Sequence, residues 1–112
     1  MTTDNSDIGQ LVLDGNLTIR NIESVHLKLT DAISRRSQIV IDCRSADEVD
    51  VSMVQLLLAA RAGAASAGRR LVLAHPADGA LLDVLVRGGF LQPAGAQPHP
   101  DTSFWLNAET SP

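Results

Sequence analysis

The chain has 112 residues, 45% of them hydrophobic and 20% charged, with a formal net charge of −4 and a pI near 5.1. That suits one small globular domain with a limited core; the acidic balance argues against a nucleic-acid partner held by phosphate neutralisation, and two Phe and one Trp leave little for base stacking. No apolar run reaches the roughly 18 residues of a membrane span, so no direct membrane insertion is expected, and the lone Cys43 allows no internal disulfide.

Residues 1–9 read as a disordered lead-in. The N-terminal "MTTDNSDIGQ" is polar and acidic, unlike a secretory leader, which makes the cytoplasm the expected compartment. In "QLVLDGNLTIR", Leu11 and Leu13 alternate before Asp14-Gly15, and Leu17 and Ile19 alternate after it. Asp-Gly tolerates the positive φ of tight turns, so the stretch predicts two antiparallel strands in a hairpin.

From Ile22 the period changes. Ile22, Val25, Leu29 and Ile33 share one helical face, with Asn21 as a cap and Glu23 at the positive end. "QIVID", residues 38–42, is a short apolar run of the kind expected for a strand covered on both faces. "SMVQLLLAARAGAASAG" predicts a second helix closed by Gly68 in a left-handed cap. "RLVLAH", residues 70–75, is another buried-type strand. Pro76 opens a third helix through Arg87, with Leu81, Leu82, Leu85 and Val86 as core contacts and Gly88-Gly89 as its end.

The tail, "LQPAGAQPHPDTSFWLNAETSP", suggests loops around a short edge strand at 97–99. A last helical turn at 101–106 would let Phe104 and Trp105 cover the sheet. The expected fold is therefore α/β: a single domain over residues 10–107, a small mixed sheet with helices packed on it, in the order β-β-α-β-α-β-α plus a short C-terminal strand and helix, with 108–112 a disordered tail.

That order, together with "IVIDCRSADEVDVSMVQLLLAARAGAASAGRRLVL" and the later "LLDVLVRGGFL", resembles a STAS domain from about Leu11 to Leu91. The family includes bacterial anti-sigma-factor antagonists and small STAS subunits of lipid-transporting ABC systems. Its members typically have a strand ending in Asp, a loop, and a "D-S-S-G-L" or "D-T-A-G-L" segment opening a helix. By that resemblance Asp42 falls on the strand-end acid and Asp50 on the acid before the helix. Val51 occupies the usual phosphoacceptor position, Ser52 falls on the second serine, and Met53 replaces the glycine. The hydroxyl that a switch kinase modifies in the antagonists is a hydrocarbon here.

Two readings of Ser52 compete. In "SMVQ" it fits a capping box in which Gln55 reaches back, a cap worth about 1 kcal/mol. As an alternative phosphoacceptor it would gain from the helix dipole but face Asp47, Glu48 and Asp50. The cap is favoured. Asp50 could orient an incoming hydroxyl or hold a metal-bound nucleotide brought by a partner; more simply, it favours the positive end of the helix.

Met53, Val54, Leu56, Leu57 and Leu58 make the second helix apolar nearly all round. Either part of this surface faces outward and binds a partner, or the third helix or tail covers it. The first reading makes Asp47, Glu48, Asp50, Val51, Met53, Val54 and Leu57 a partner-binding set. The resemblance implies a histidine-kinase-like anti-sigma factor, or a protein of another signalling system such as chemotaxis, as the partner; the alternative is an ABC transporter ATPase subunit. No cofactor or catalytic constellation is expected. His26, His75 and His99 lack ligand spacing, Cys43 reads as a small core residue, the arginine pairs Arg35-Arg36 and Arg69-Arg70 suit helix ends, and there is no phosphate-cradling loop or nucleophile elbow.

Overall fold

The computed structural model describes residues 8–91 and 102–106. Its elements run β1 (Ile8–Val12), β2 (Gly15–Leu17), α1 (Ile22–Arg35), β3 (Gln38–Asp42), β4 (Ala46–Val49), α2 (Val51–Ser66), β5 (Arg70–Leu73), α3 (Gly79–Arg87) and α4 (Thr102–Trp105). The expected α/β class holds. β1 begins at Ile8, inside the stretch expected to be disordered, and β4 was not foreseen; the expected strand at 97–99 lies outside the described residues.

The hairpin is not formed. β1 pairs in parallel with β3, from Ile8 opposite Gln38 to Val12 opposite Asp42, and β3 pairs in parallel with β5. β2 pairs in parallel with β4 instead of folding back on β1. The two chain segments continue side by side past the end of β1: the Leu13 N–H donates to the Asp42 carbonyl at 2.9 Å and the Gly15 N–H to the Ser45 carbonyl at 3.3 Å. Gly15 has φ +73°, so the Asp-Gly pair does mark a left-handed kink. It accompanies a register shift within the parallel β2–β4 ladder, between Gly15 and Asn16, rather than a reversal. Every pairing among the described residues is parallel, which requires crossovers, and α1 and α2 supply them.

Side chains alternate across the sheet. Leu11, Ile39, Ile41, Leu71 and Leu73 face the core, whereas Ile8, Gln10 and Val12 on the opposite face are exposed and Val40 is half-buried. β3 is thus fully covered on one face only, contrary to expectation, while Leu71, Val72 and Leu73 of β5 are all buried.

α1 buries Val25 and Leu29, with Ile22 and Ile33 partly buried beside them. Asn21 stands at its N-cap but makes no side-chain cap bond; its amide oxygen accepts from the Thr18 hydroxyl at 3.4 Å. α2 lies between α1 and α3 over β5. Its C-terminus closes as expected: Gly68 takes φ +75°, its N–H donates to the Ala65 carbonyl, and the Arg69 N–H reaches the Ala64 carbonyl at 2.7 Å. α3 starts at Gly79, after an extended Asp78, and not at Pro76 as expected; it buries Leu81, Val84 and Leu85, and Val86, expected inside, is exposed.

α4 behaves as anticipated. Phe104 and Trp105 are buried in an edge-to-face pair with centroids 4.8 Å apart. The Trp105 carbonyl accepts the Ala77 N–H at 2.8 Å, tying this last turn to the loop after β5.

Candidate functional site

The β4–α2 junction is built around Asp50. Its backbone is extended (φ −116°, ψ 178°), continuing β4, and Val51 is already helical. Asp50 therefore stands at the N-cap, and its carbonyl accepts the Met53 N–H at 3.1 Å. The capping box assigned to Ser52 and Gln55 is not present, because Ser52 is the second helical residue, two positions past the N-cap at Asp50. It is half-buried.

The Asp50 side chain does not cap α2 either. Oδ2 accepts the backbone N–H of Ile19 at 2.9 Å, while the Asp50 N–H donates to the Leu17 carbonyl at 3.2 Å. Oδ1 is buried with no hydrogen-bond partner among the described residues. Asp50 thus sits where the helix dipole favours a carboxylate, and it also fixes the chain between β2 and α1. No sequence signal announces that second role, since the two residues are 31 positions apart.

Around this acid, Asp47 and Glu48 are exposed on β4, and Val51 is 40% exposed. Ile19, which the partner-binding set omitted, is 62% exposed and lies beside them through its bond to Asp50. Three members of that set are corrected. Met53, Val54 and Leu57 are 0% exposed and belong to the core. An apolar circumference on α2 signals that it is the middle helix of three, flanked by α1 and α3 over β5. Leu56 and Leu58 pack partly against the same core.

Asp42 belongs to a separate cluster at the carboxyl end of β3. Its carboxylate takes the Arg44 N–H at 3.0 Å, the guanidinium Nε at 3.3 Å and Nη2 at 3.2 Å. These bonds hold its pKa below the usual carboxylate value, with a smaller contribution from His75. The two acids share no partner. A hollow of about 270 Å³ lies beside Asp42, Arg44 and His75 at the strand ends, a common position for sites in parallel sheets. It contains no pairing of nucleophile and base. Cys43 is half-buried, and burial, with Asp42 nearby, pushes its thiol up to about 12. Among the described residues no group of three or more His, Cys, Asp or Glu could hold a metal ion, and no helix is long and apolar enough to cross a membrane. His26 and His75 are exposed; His99 lies outside the described residues.

The profile of a family described as "Mlab, STAS domain" matches residues 1–92. No curated protein matches the chain. A solved structure described as "Crystal Structure Analysis of Mglu" aligns with a TM-score of 0.55 and 23% identity, over 66% of this chain and 19% of that one. At that identity the likeness concerns the fold alone, and the present chain spans less than a fifth of the Mglu chain's length.

Proposed function

Because the chain belongs to the STAS domain family, we propose that it is a non-catalytic regulatory module, like an anti-sigma-factor antagonist, that docks on a partner kinase or ATPase through the β4–α2 junction. The observation that carries this reading is the exposed surface at that junction. Asp47, Glu48, Val51 and Ile19 face outward, and Asp50 locks the two chain segments that bear them. A small apolar centre with an acidic rim suits a protein partner that brings apolar and basic groups. Met53, Val54 and Leu57 act beneath it as the anchor of α2 in the core.

A second reading is favoured by Val51. The residue at the usual phosphoacceptor position is an exposed hydrocarbon, which suits a permanent contact better than a phosphate switch. On this reading the domain is a constitutive subunit of a lipid-transporting ABC complex and stabilises its ATPase. Ser52 would then have no regulatory role. On the first reading Ser52 is the remaining phosphoacceptor, where a dianion would be repelled by Asp50.

A pull-down from the native host with partners identified by mass spectrometry tests both. A histidine-kinase-like or chemotaxis partner, with phosphate on peptides covering Ser52, supports the first reading; transporter ATPase and permease subunits support the second. Binding that survives Val51→Asp and Ile19→Asp unchanged would remove the junction as the docking surface in either case.

A further inference from the structure

The larger sheet runs β1-β3-β5, so one long side of β1 carries no strand among the described residues. Which backbone groups point that way follows from the ladder. The Leu13 N–H reaches the Asp42 carbonyl, and alternation along the strand turns the N–H and C=O of Gly9 and Leu11 to β3 as well. The N–H and C=O of Ile8, Gln10 and Val12 therefore point outward, and none of them is bonded to another described residue.

β1 also lacks the usual protection of an edge. It has no charged residue, no proline and no register irregularity against β3. On the uncovered face of the sheet it presents Ile8, 40% exposed, Gln10, also exposed, and Val12, 55% exposed. Gly9 and Leu11 point to the core face yet are only half-buried, since the open edge leaves their outer flank bare.

We propose that this edge pairs with itself: a second copy of the chain docks its β1 antiparallel to this one and joins the two sheets into a single continuous sheet. A two-fold axis beside Gln10, normal to the sheet, generates the pairing. It sets Gln10 opposite Gln10 of the other copy, Ile8 opposite Val12, and Val12 opposite Ile8. These are the residues whose N–H and C=O point outward, so every such pair is of the hydrogen-bonded kind and exchanges both of its bonds. The same pairs carry the exposed side chains. Two apolar pairs, Ile8 with Val12, flank a central pair of amides that donate and accept in turn. On the core face Leu11 falls opposite Gly9, over which the aliphatic stem of Arg36 lies. The segment Ile-Gly-Gln-Leu-Val thus reads as a palindrome in chemistry about Gln10. A foreign extended peptide would satisfy the backbone groups but would leave that symmetry unexplained; a second copy accounts for both.

β1 shares no residue with the β4–α2 junction, and the test uses the purified full chain alone, so its outcome is independent of any partner docking there. Sedimentation velocity between about 5 μM and about 1 mM should show a monomer–dimer equilibrium. Gln10→Pro removes an outward N–H, spares the bonds to β3, and should abolish the dimer. Ile8→Lys/Val12→Lys sets like charges opposite one another and should do the same, with unchanged circular dichroism because both side chains are exposed. Ile8→Glu/Val12→Glu should also be monomeric alone. An equimolar mixture of the lysine and glutamate variants should dimerise, since each lysine then meets a glutamate. In the wild type, hydrogen exchange at the Gln10 and Val12 amides should slow about tenfold or more between dilute and concentrated solutions. A wild-type chain that stays monomeric to about 1 mM overturns the proposal. So does a dimer that survives the lysine pair, a dimer whose Gln10 and Val12 amides exchange as fast as in the monomer, or a mixture of charge variants that does not associate.

Discussion

The Asp50 carboxylate accepts the backbone N–H of Ile19 at 2.9 Å, across 31 positions of sequence. Through this bond an acid at the start of α2 fixes the segment leading into α1, and an exposed isoleucine is held beside an exposed valine. Asp50→Ala removes a charge-assisted bond and should cost about 1–2 kcal/mol, lowering the melting temperature by about 5 °C or more. Asp50→Asn keeps an acceptor for Ile19 and should lose less. Thermal melts of the two variants check the ranking; equal losses would show that charge at the helix end, and not the Ile19 bond, is what matters.

Val51 and Met53 are two positions apart and should respond in opposite ways. Met53 is fully buried among the core residues of α2, so Met53→Lys buries a charge with no counterpart and should cost about 3 kcal/mol or more. Val51→Lys places its ammonium in water and should change stability by less than about 0.5 kcal/mol, while weakening partner capture. Urea unfolding of both variants, with binding measured only on the folded one, separates core from surface.

Trp105 is the only tryptophan in the chain and is fully buried against Phe104. Its emission should be blue-shifted and poorly quenched by iodide in the native state. Trp105→Ala should cost about 3–5 kcal/mol, although α4 is only 4 residues long. A red-shifted native emission would place Trp105 in water and contradict the role of α4 as a plug.

Among the described residues, Asp42 and Cys43 have shifts that bear on pH. Asp42 has its folded pKa lowered, first by hydrogen bonds from Arg44. Its contribution is therefore present above the ordinary carboxylate pKa and is lost as pH falls through the lower folded value. In Arg44→Ala the Asp42 carboxyl should titrate higher, which NMR titration reads directly. Cys43 has its thiol raised from 9.0 to about 12 by burial. The unfolded chain ionises first as pH rises, so stability falls between those two values. At pH 8 the native thiol should react with a thiol reagent far more slowly than the unfolded one.

The residues speak clearly wherever a local pattern has a local cause. The three-and-four spacing of Ile22, Val25, Leu29 and Ile33 gave α1, and Gly68 gave the closing turn of α2, because periodicity and left-handed backbone are properties of a few consecutive residues. The order of strands and helices, with the Asp50 segment, was enough to suggest the family that the profile match supports. The site was only half legible: Asp47, Glu48 and Val51 are exposed as expected, but Met53, Val54 and Leu57 are not.

What remained was decided by partners distant in sequence. Asp14-Gly15 has the chemistry of a hairpin, yet β3 and β4 offer parallel edges to β1 and β2, and the chain kinks there without reversing. The apolar circumference of α2 fits either an exposed patch or a central helix, and only the positions of α1 and α3 on either side choose burial. The sequence around Ser52 fits a cap; the extended backbone of Asp50, continuing β4 where it pairs with β2, puts the cap two residues earlier. Local sequence determined which segments form strands and helices. Tertiary structure determined which of their faces meet water, because burial is a property of what lies opposite a side chain and not of the side chain itself.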